Sequence, residues 1–295
     1  MDHKALLAGL TPDQRLALTG RSNGAGLRHL ASHWGAIVTI GAAIASGVPG
    51  WPLLLQIQGI LIVFLFTLLH ETSHRTPFAS DWINVWVGRV CGLAICLPPE
   101  WFRLFHMAHH RFTNDPERDP ELEDGKPETW RRYLIYVSGI PVWISHIRTL
   151  TACARGRLDA PYLPASALPR IKREAQAMLL VYVLIASAGL ASGAGWLLWC
   201  WIIPVVAGQP FLRLYLLAEH GRCPPVANMF ENTRTTFTGW LVRMIAWNMP
   251  YHAEHHAMPT VPFHKLPIFH GLTRPHLKVT ERGYWRFHRA FRRTL

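Results

Sequence analysis

Charge is scarce in this chain of 295 residues: Asp, Glu, Lys and Arg together make up 16%, well under the roughly 25% of soluble domains. With half of the residues hydrophobic, that scarcity excludes a disordered chain and disfavours a freely soluble globule. Cysteine is scarce too. Cys91, Cys96, Cys153, Cys200 and Cys223 are odd in number and contain no CxxC pair, so neither a disulfide framework nor a cysteine zinc site is implied. Internal repeats, low-complexity tracts and heptad arrays are absent. The first 30 residues also lack the apolar core of a secretory signal, because Asp13, Gln14 and Arg15 interrupt the run after Leu6, Leu7 and Leu10; the N-terminus is expected to stay in the cytosol. What the chain has in excess is histidine, 17 in all, and positive charge, +12 from 30 Lys plus Arg against 18 Asp plus Glu.

Long uncharged runs are the first positive signal. The chain is uncharged from Trp34 to Gly50, turns at Val48-Pro49-Gly50-Trp51-Pro52, and stays uncharged to Leu69. A second pair of runs covers Ala175 to Ala194 and Trp196 to about Leu212. These predict an all-α integral membrane protein with four spanning helices in two hairpins, at about 34–50, 52–69, 175–194 and 196–212. Lys and Arg are missing from both hairpin turns and concentrate in 1–33, 103–174 and 213–295, which puts both termini in the cytosol, at a bacterial inner membrane by size. Trp82 to Leu97 is apolar but short and stopped by Pro98-Pro99, the pattern of a re-entrant or interfacial helix; Tyr133 to Ile147, interrupted by Pro141, is similar. The expected organisation is a cytosolic segment 1–33, a membrane domain 34–270 with a cytosolic histidine-lined cap, and a basic amphipathic tail 271–295. In that tail Tyr284, Phe287, His288 and Phe291 fall on one helical side and Arg282, Arg286, Arg289 and Arg293 mostly on the other, suiting an anionic membrane surface. Positive charge alone also fits nucleic acid, but flanking of membrane spans explains it, and no nucleic-acid partner is expected.

Histidines cluster where the cytosolic ends of spans are expected: His70-Glu71-Thr72-Ser73-His74, His106-Met107-Ala108-His109-His110, the single His220, and His252-Ala253-Glu254-His255-His256. On a helix, positions i, i+3 and i+4 share a face, so each group can aim its imidazoles at one point. An HxxHH spacing is expected by chance roughly 0.06 times in such a chain, and here it occurs twice. A lone HExxH would suit a zinc protease with Glu71 as base, and a non-catalytic metal-binding protein would also use histidines. Nine imidazoles, however, are too many for one ion. Two metals with four or five nitrogens each would use them all, and Fe, Zn, Cu or Ni would suit.

From about Ile60 to Leu266 the chain resembles the membrane fatty acid desaturase and hydroxylase family, integral-membrane non-haem di-iron oxygenases. The resemblance lies in HETSH, in HMAHH followed by RFTNDPERDP, and in NMPYHAEHH. It implies that His70, His74, His106, His109, His110, His252, His255 and His256 bind two irons, with His220 as the additional ligand between the second and third boxes. It implies O2 as co-substrate and attack on an unactivated C–H bond of a lipid. Desaturation of a fatty acyl chain is the first expectation; hydroxylation or ketolation of a lipid, alkane, carotenoid or small amphiphile is the alternative. The third box opens with His252 rather than glutamine, and no haem motif HPGG occurs, so electrons are expected from a separate protein such as ferredoxin, whose acidic surface suits the basic cytosolic side. Asn114, Asp115 and Asp119, in an acidic loop from Asp115 to Asp124, are expected to accept N–H bonds from ligating imidazoles, as are Glu71 and Glu254. Asn248 is expected to support the site through a water.

Overall fold

The computed structural model describes residues 1–123, 125–193 and 195–295. Asp124, the end of the expected acidic loop, and Ala194, the expected end of the third span, lie outside the described residues. The chain is mostly helical. Two short helices, α1 (His3–Ala8) and α2 (Pro12–Thr19), lead into α3 (Asn23–Ala45), α4 (Trp51–Val63) and α5 (Leu65–Ser73), then α6 (Asp81–Ala94), α7 (Pro99–Phe112), α8 (Trp130–Ser138) and α9 (Ile140–Arg155). The second half holds α10 (Leu168–Ala191), α11 (Ile203–His220), α12 (Met229–Asn232), α13 (Trp240–Ile245), α14 (His252–Ala257), α15 (Leu266–Thr273) and α16 (Tyr284–Arg292). Two-residue strands β1 (Thr235–Thr236) and β2 (Thr280–Glu281) pair in parallel.

Among the described residues, three helical stretches are long and apolar enough to cross a bilayer: Trp51–Ser73, Ala165–Ala191 and Leu198–His220. The limb expected at 34–50 lies in α3, outside that set; α3 begins at Asn23 and carries Arg28, His29 and His33 in its first half. At their charged ends the other spans reach beyond the uncharged runs, to Ser73, Ala165 and His220. A helix continues past its apolar segment wherever polar residues still satisfy its backbone, and here those added turns hold His70 and His220. Only 17% of the apolar window of Ala165–Ala191 is buried in the protein, so Leu180, Val183, Leu184 and Leu190 point outward, as lipid-facing side chains must. Two polar side chains inside the bundle donate to backbone carbonyls: the Gln58 amide to Cys200 at 3.1 Å and His33 Nε2 to Leu61 at 2.9 Å.

The bundle centres on α4 against α11. A Cβ at Gly59 would come within 2.1 Å of the Pro204 carbonyl oxygen, and one at Gly208 within 2.3 Å of the Gly59 backbone; small residues let the two helices meet backbone to backbone. Near 82–97 the structure has a bent pair, α6 and α7, meeting at 100°. The bend is set by Cys96 in the left-handed region (φ 59°) and by Gly92, where a Cβ would strike the Leu97 carbonyl and Pro99. Between 133 and 147 the chain forms α8 and α9, joined at Gly139 (φ 72°), with Pro141 in the first turn of α9. Their geometry carries α7, with its histidines, up against the ends of α5 and α11.

Candidate metal centre

Each histidine group rides on a helix whose register aims the imidazoles inward. His70 lies in the last turn of α5 and His74 caps it; His106, His109 and His110 close α7; His220 ends α11; His252, His255 and His256 fill the six-residue α14. Two sets result. In one, ring nitrogens of His70, His74, His106, His110 and His255 all lie within 4.8 Å of one another; in the other, those of His109, His220 and His256 do. His252 joins the second set, its Nε2 3.0 Å from His220 Nε2.

Proton positions follow from the outer partners. Asp119 is buried, and its two oxygens lie 2.9 and 3.0 Å from His109 Nδ1. A carboxylate only accepts, so His109 Nδ1 carries a hydrogen and Nε2 is the nitrogen turned toward the other histidines. Asp119 is itself held by the backbone N–H groups of Asn114 (2.7 Å) and Glu121 (2.9 Å). Burial alone would raise its carboxyl, but the His109 hydrogen bond and the backbone donors outweigh this and hold it below the usual range. His220 Nδ1 donates to the Asn232 carbonyl at 3.4 Å. The Thr113 hydroxyl, which donates to the His109 carbonyl, accepts from His256 Nδ1 at 3.1 Å. Glu219 lies 3.5 Å from His252 Nδ1 and Glu71 lies 3.5 Å from His255 Nδ1, close contacts without hydrogen-bond geometry.

Inside these partners, ring nitrogen faces ring nitrogen. His109 and His220 oppose Nε2 atoms at 3.2 Å, His74 and His106 at 2.9 Å, His106 and His110 at 2.9 Å, and His110 and His255 at 3.2 Å. Among the described residues, His70 Nε2 and His256 Nε2 are buried with no hydrogen-bond partner. Burial first, and then neighbouring imidazoles, pushes His252, His255 and His256 well below the ordinary histidine range, a direction that favours the neutral ring a metal requires. Each opposed pair either shares one hydrogen or faces a common cation. Ligands about 90° apart at about 2.1 Å from an ion would be about 3.0 Å from each other, close to the spacings found. The donor set fits two imidazole-bound metals.

The remaining sequence-predicted residues divide. Glu71 is fully buried, accepting from Thr76 (3.1 Å) and the Phe263 N–H (3.1 Å) as well as facing His255. Asn114, at φ 58°, turns the chain after α7 so that Asp119 returns to His109. Asp115 faces Arg118 in an exposed loop, Glu254 joins Thr235 and His270, and the Asn248 amide donates to the Phe263 carbonyl at 3.0 Å; their recorded partners include no box histidine. Glu219, Thr113 and the Asn232 carbonyl escape sequence reasoning. Thr113 stands four residues after His109, a cue available in the sequence, and Glu219 directly precedes His220.

Residues 48–288 match the model of the fatty acid desaturase family. An sn-1 acyl-lipid omega-3 desaturase (ferredoxin) from Nostoc sp. is 23% identical over 262 residues, 81% of this chain and 69% of that protein. An sn-1 oleoyl-lipid 12-desaturase from Picosynechococcus sp. is 26% identical over 118 residues, 37% of this chain and 34% of the relative. A dihydrorhizobitoxine desaturase from Bradyrhizobium elkanii is 25% identical over 232 residues, 72% of this chain and 64% of the relative.

Proposed function

Since the chain belongs to the fatty acid desaturase family, an oxidoreductase family of the membrane, we propose that it introduces a double bond into the acyl chain of a lipid, using O2 and a separate electron donor. The observation that carries this reading is the convergence of nine imidazoles in two sets with ring nitrogens facing one another. One HExxH site would need two of them, so a zinc protease leaves most of the cluster without a purpose.

The nine histidines would hold two irons, which when bound supply the redox chemistry that activates O2 toward an unactivated C–H bond. The residues of the chain then have defined tasks. Asp119, Thr113 and the Asn232 carbonyl fix the rings of His109, His256 and His220 and keep their Nδ1 hydrogens outward, which commonly raises metal affinity 10–100-fold, while Glu219 and Glu71 stand beside His252 and His255. Phe102, stacked 5.4 Å from His106 and 5.4 Å from Phe66, lines one side with apolar surface and keeps water away. Balance requires that two hydrogens leave the acyl chain while two electrons and two protons arrive, so that one O2 becomes two waters. A ferredoxin-type carrier is the donor in this reading, supported by the name of the Nostoc relative. The spans sit in a bacterial inner membrane with both termini cytosolic, consistent with where Lys and Arg fall.

The test is product analysis. Protein in lipid nanodiscs, given reduced ferredoxin and O2, is expected to return acyl chains with one added double bond. A hydroxylated product would move the assignment to hydroxylation at the same centre, and bound lipid returned unchanged without O2 consumption would overturn it. The dihydrorhizobitoxine desaturase among the relatives supports a second reading, a small amphiphile as substrate, checked in the same assay by supplying free amphiphiles in place of lipid.

A further inference from the structure

Helix α16 has one face spent and one face free. Phe287 and Phe291 are buried with Tyr133, Leu217 and Ala218. His288 Nε2 donates to the Leu214 carbonyl at 2.8 Å, and the Tyr133 hydroxyl donates to its Nδ1 at 3.1 Å. The apolar side that the sequence assigns to a membrane surface is therefore consumed inside the protein. Outward stand Arg286, Arg289 and Arg293, with Arg282 just before the helix and Trp285 72% exposed among them. From Arg282 to Leu295 there are five arginines and no acid. Glu281 sits 3.7 Å from Arg286, an exposed pair that neutralises little.

The inner side of the same helix leads to the histidines. Tyr284 stacks on buried Tyr215 with ring centroids 5.1 Å apart. Tyr215 is one turn from Glu219 on α11. Glu219 in turn lies 3.5 Å from His252.

We infer that the arginine face of α16 is the docking surface for an acidic one-electron carrier protein. The inference rests on the desaturation reading, in which two electrons enter from outside; two docking events, one electron each, supply them. A face with fixed positive charge and a single aromatic anchor is recognised by an acidic partner through steering, which gives fast, salt-sensitive association. Arg and Trp are also the residue types that carry interface energy. Lipid phosphate would attract the same arginines, but a helix lying on a bilayer needs an apolar face to sink into it, and here that face is occupied by Tyr133 and Leu217.

The experiment uses the full chain in nanodiscs of zwitterionic lipid and an oxidised, acidic [2Fe–2S] ferredoxin as probe, with affinity read by thermophoresis across a salt series. The Arg286→Glu/Arg289→Glu variant is expected to raise Kd about tenfold or more and to flatten the salt dependence. Arg286→Gln/Arg289→Gln should fall between, and product formation driven by dithionite should be unchanged in both. A Kd equal to that of the unaltered protein overturns the inference, and does so also when the variant instead loses attraction for anionic lipid vesicles. If ferredoxin binds through these arginines but dithionite drives no product even in the unaltered protein, the docking surface stands and the desaturation reading fails.

Discussion

Asp119→Asn tests whether the outer partners of the histidines hold the metals. The carboxylate takes three donors: the Asn114 N–H and His109 on one oxygen, the Glu121 N–H and His109 on the other. An amide of the same shape keeps one oxygen. Whichever oxygen becomes NH2, a buried backbone N–H then faces a donor, at a cost of about 1–3 kcal/mol. His109 also loses its charged acceptor, which lowers the basicity of Nε2. The expected loss of metal affinity is about 10–100-fold, or about 1.4–2.8 kcal/mol at about 1.4 kcal/mol per tenfold. It should fall on the set of His109, His220, His252 and His256 and spare the five-histidine set. Titration of the apo protein with Co(II), followed by its visible absorption and by metal content after dialysis, resolves two binding events. Variant protein that binds both ions as tightly as the unaltered chain would refute the reasoning, as would equal weakening of both.

Three further outcomes follow from the same geometry. Glu71→Gln should weaken metal binding in the five-histidine set, because Glu71 faces His255 while accepting from Thr76 and Phe263; intact metal content with lost peptide cleavage would point to a protease instead. Gly208→Ala should lower the thermal midpoint in detergent by an amount equivalent to about 1–3 kcal/mol, since its Cβ meets the Gly59 backbone, whereas Gly35→Ala, with open space at its Cβ, should not. Asp115→Ala should leave metal content unchanged, because that side chain pairs with Arg118 at the surface; loss of metal would return Asp115 to the site.

The histidine clusters were legible because their spacing is a property of the helix itself: i, i+3 and i+4 meet whatever surrounds them. Asp119 was legible through the motif that follows the second box. Glu219 was not, since an acid at a helix end has many ordinary roles and only the approach of α14 brings His252 to it. Glu254 misled for the converse reason: within a six-residue helix carrying three inward histidines, it sits on the opposite side and pairs with His270. Span boundaries slipped because hydropathy reports where lipid contact ends, not where the helix does. The tail was read from its amphipathicity, a pattern that cannot distinguish a bilayer from Tyr133 and Leu217 as the apolar partner.

Metal content per chain tests the central claim most directly. The unaltered protein purified in detergent should hold about two irons. His106→Ala and His110→Ala should reduce the five-histidine set, and His109→Ala and His256→Ala the other, each leaving the remaining site measurable by Co(II) titration. A single zinc that survives loss of His110 and His255 would contradict the account and move the chemistry to His70, Glu71 and His74.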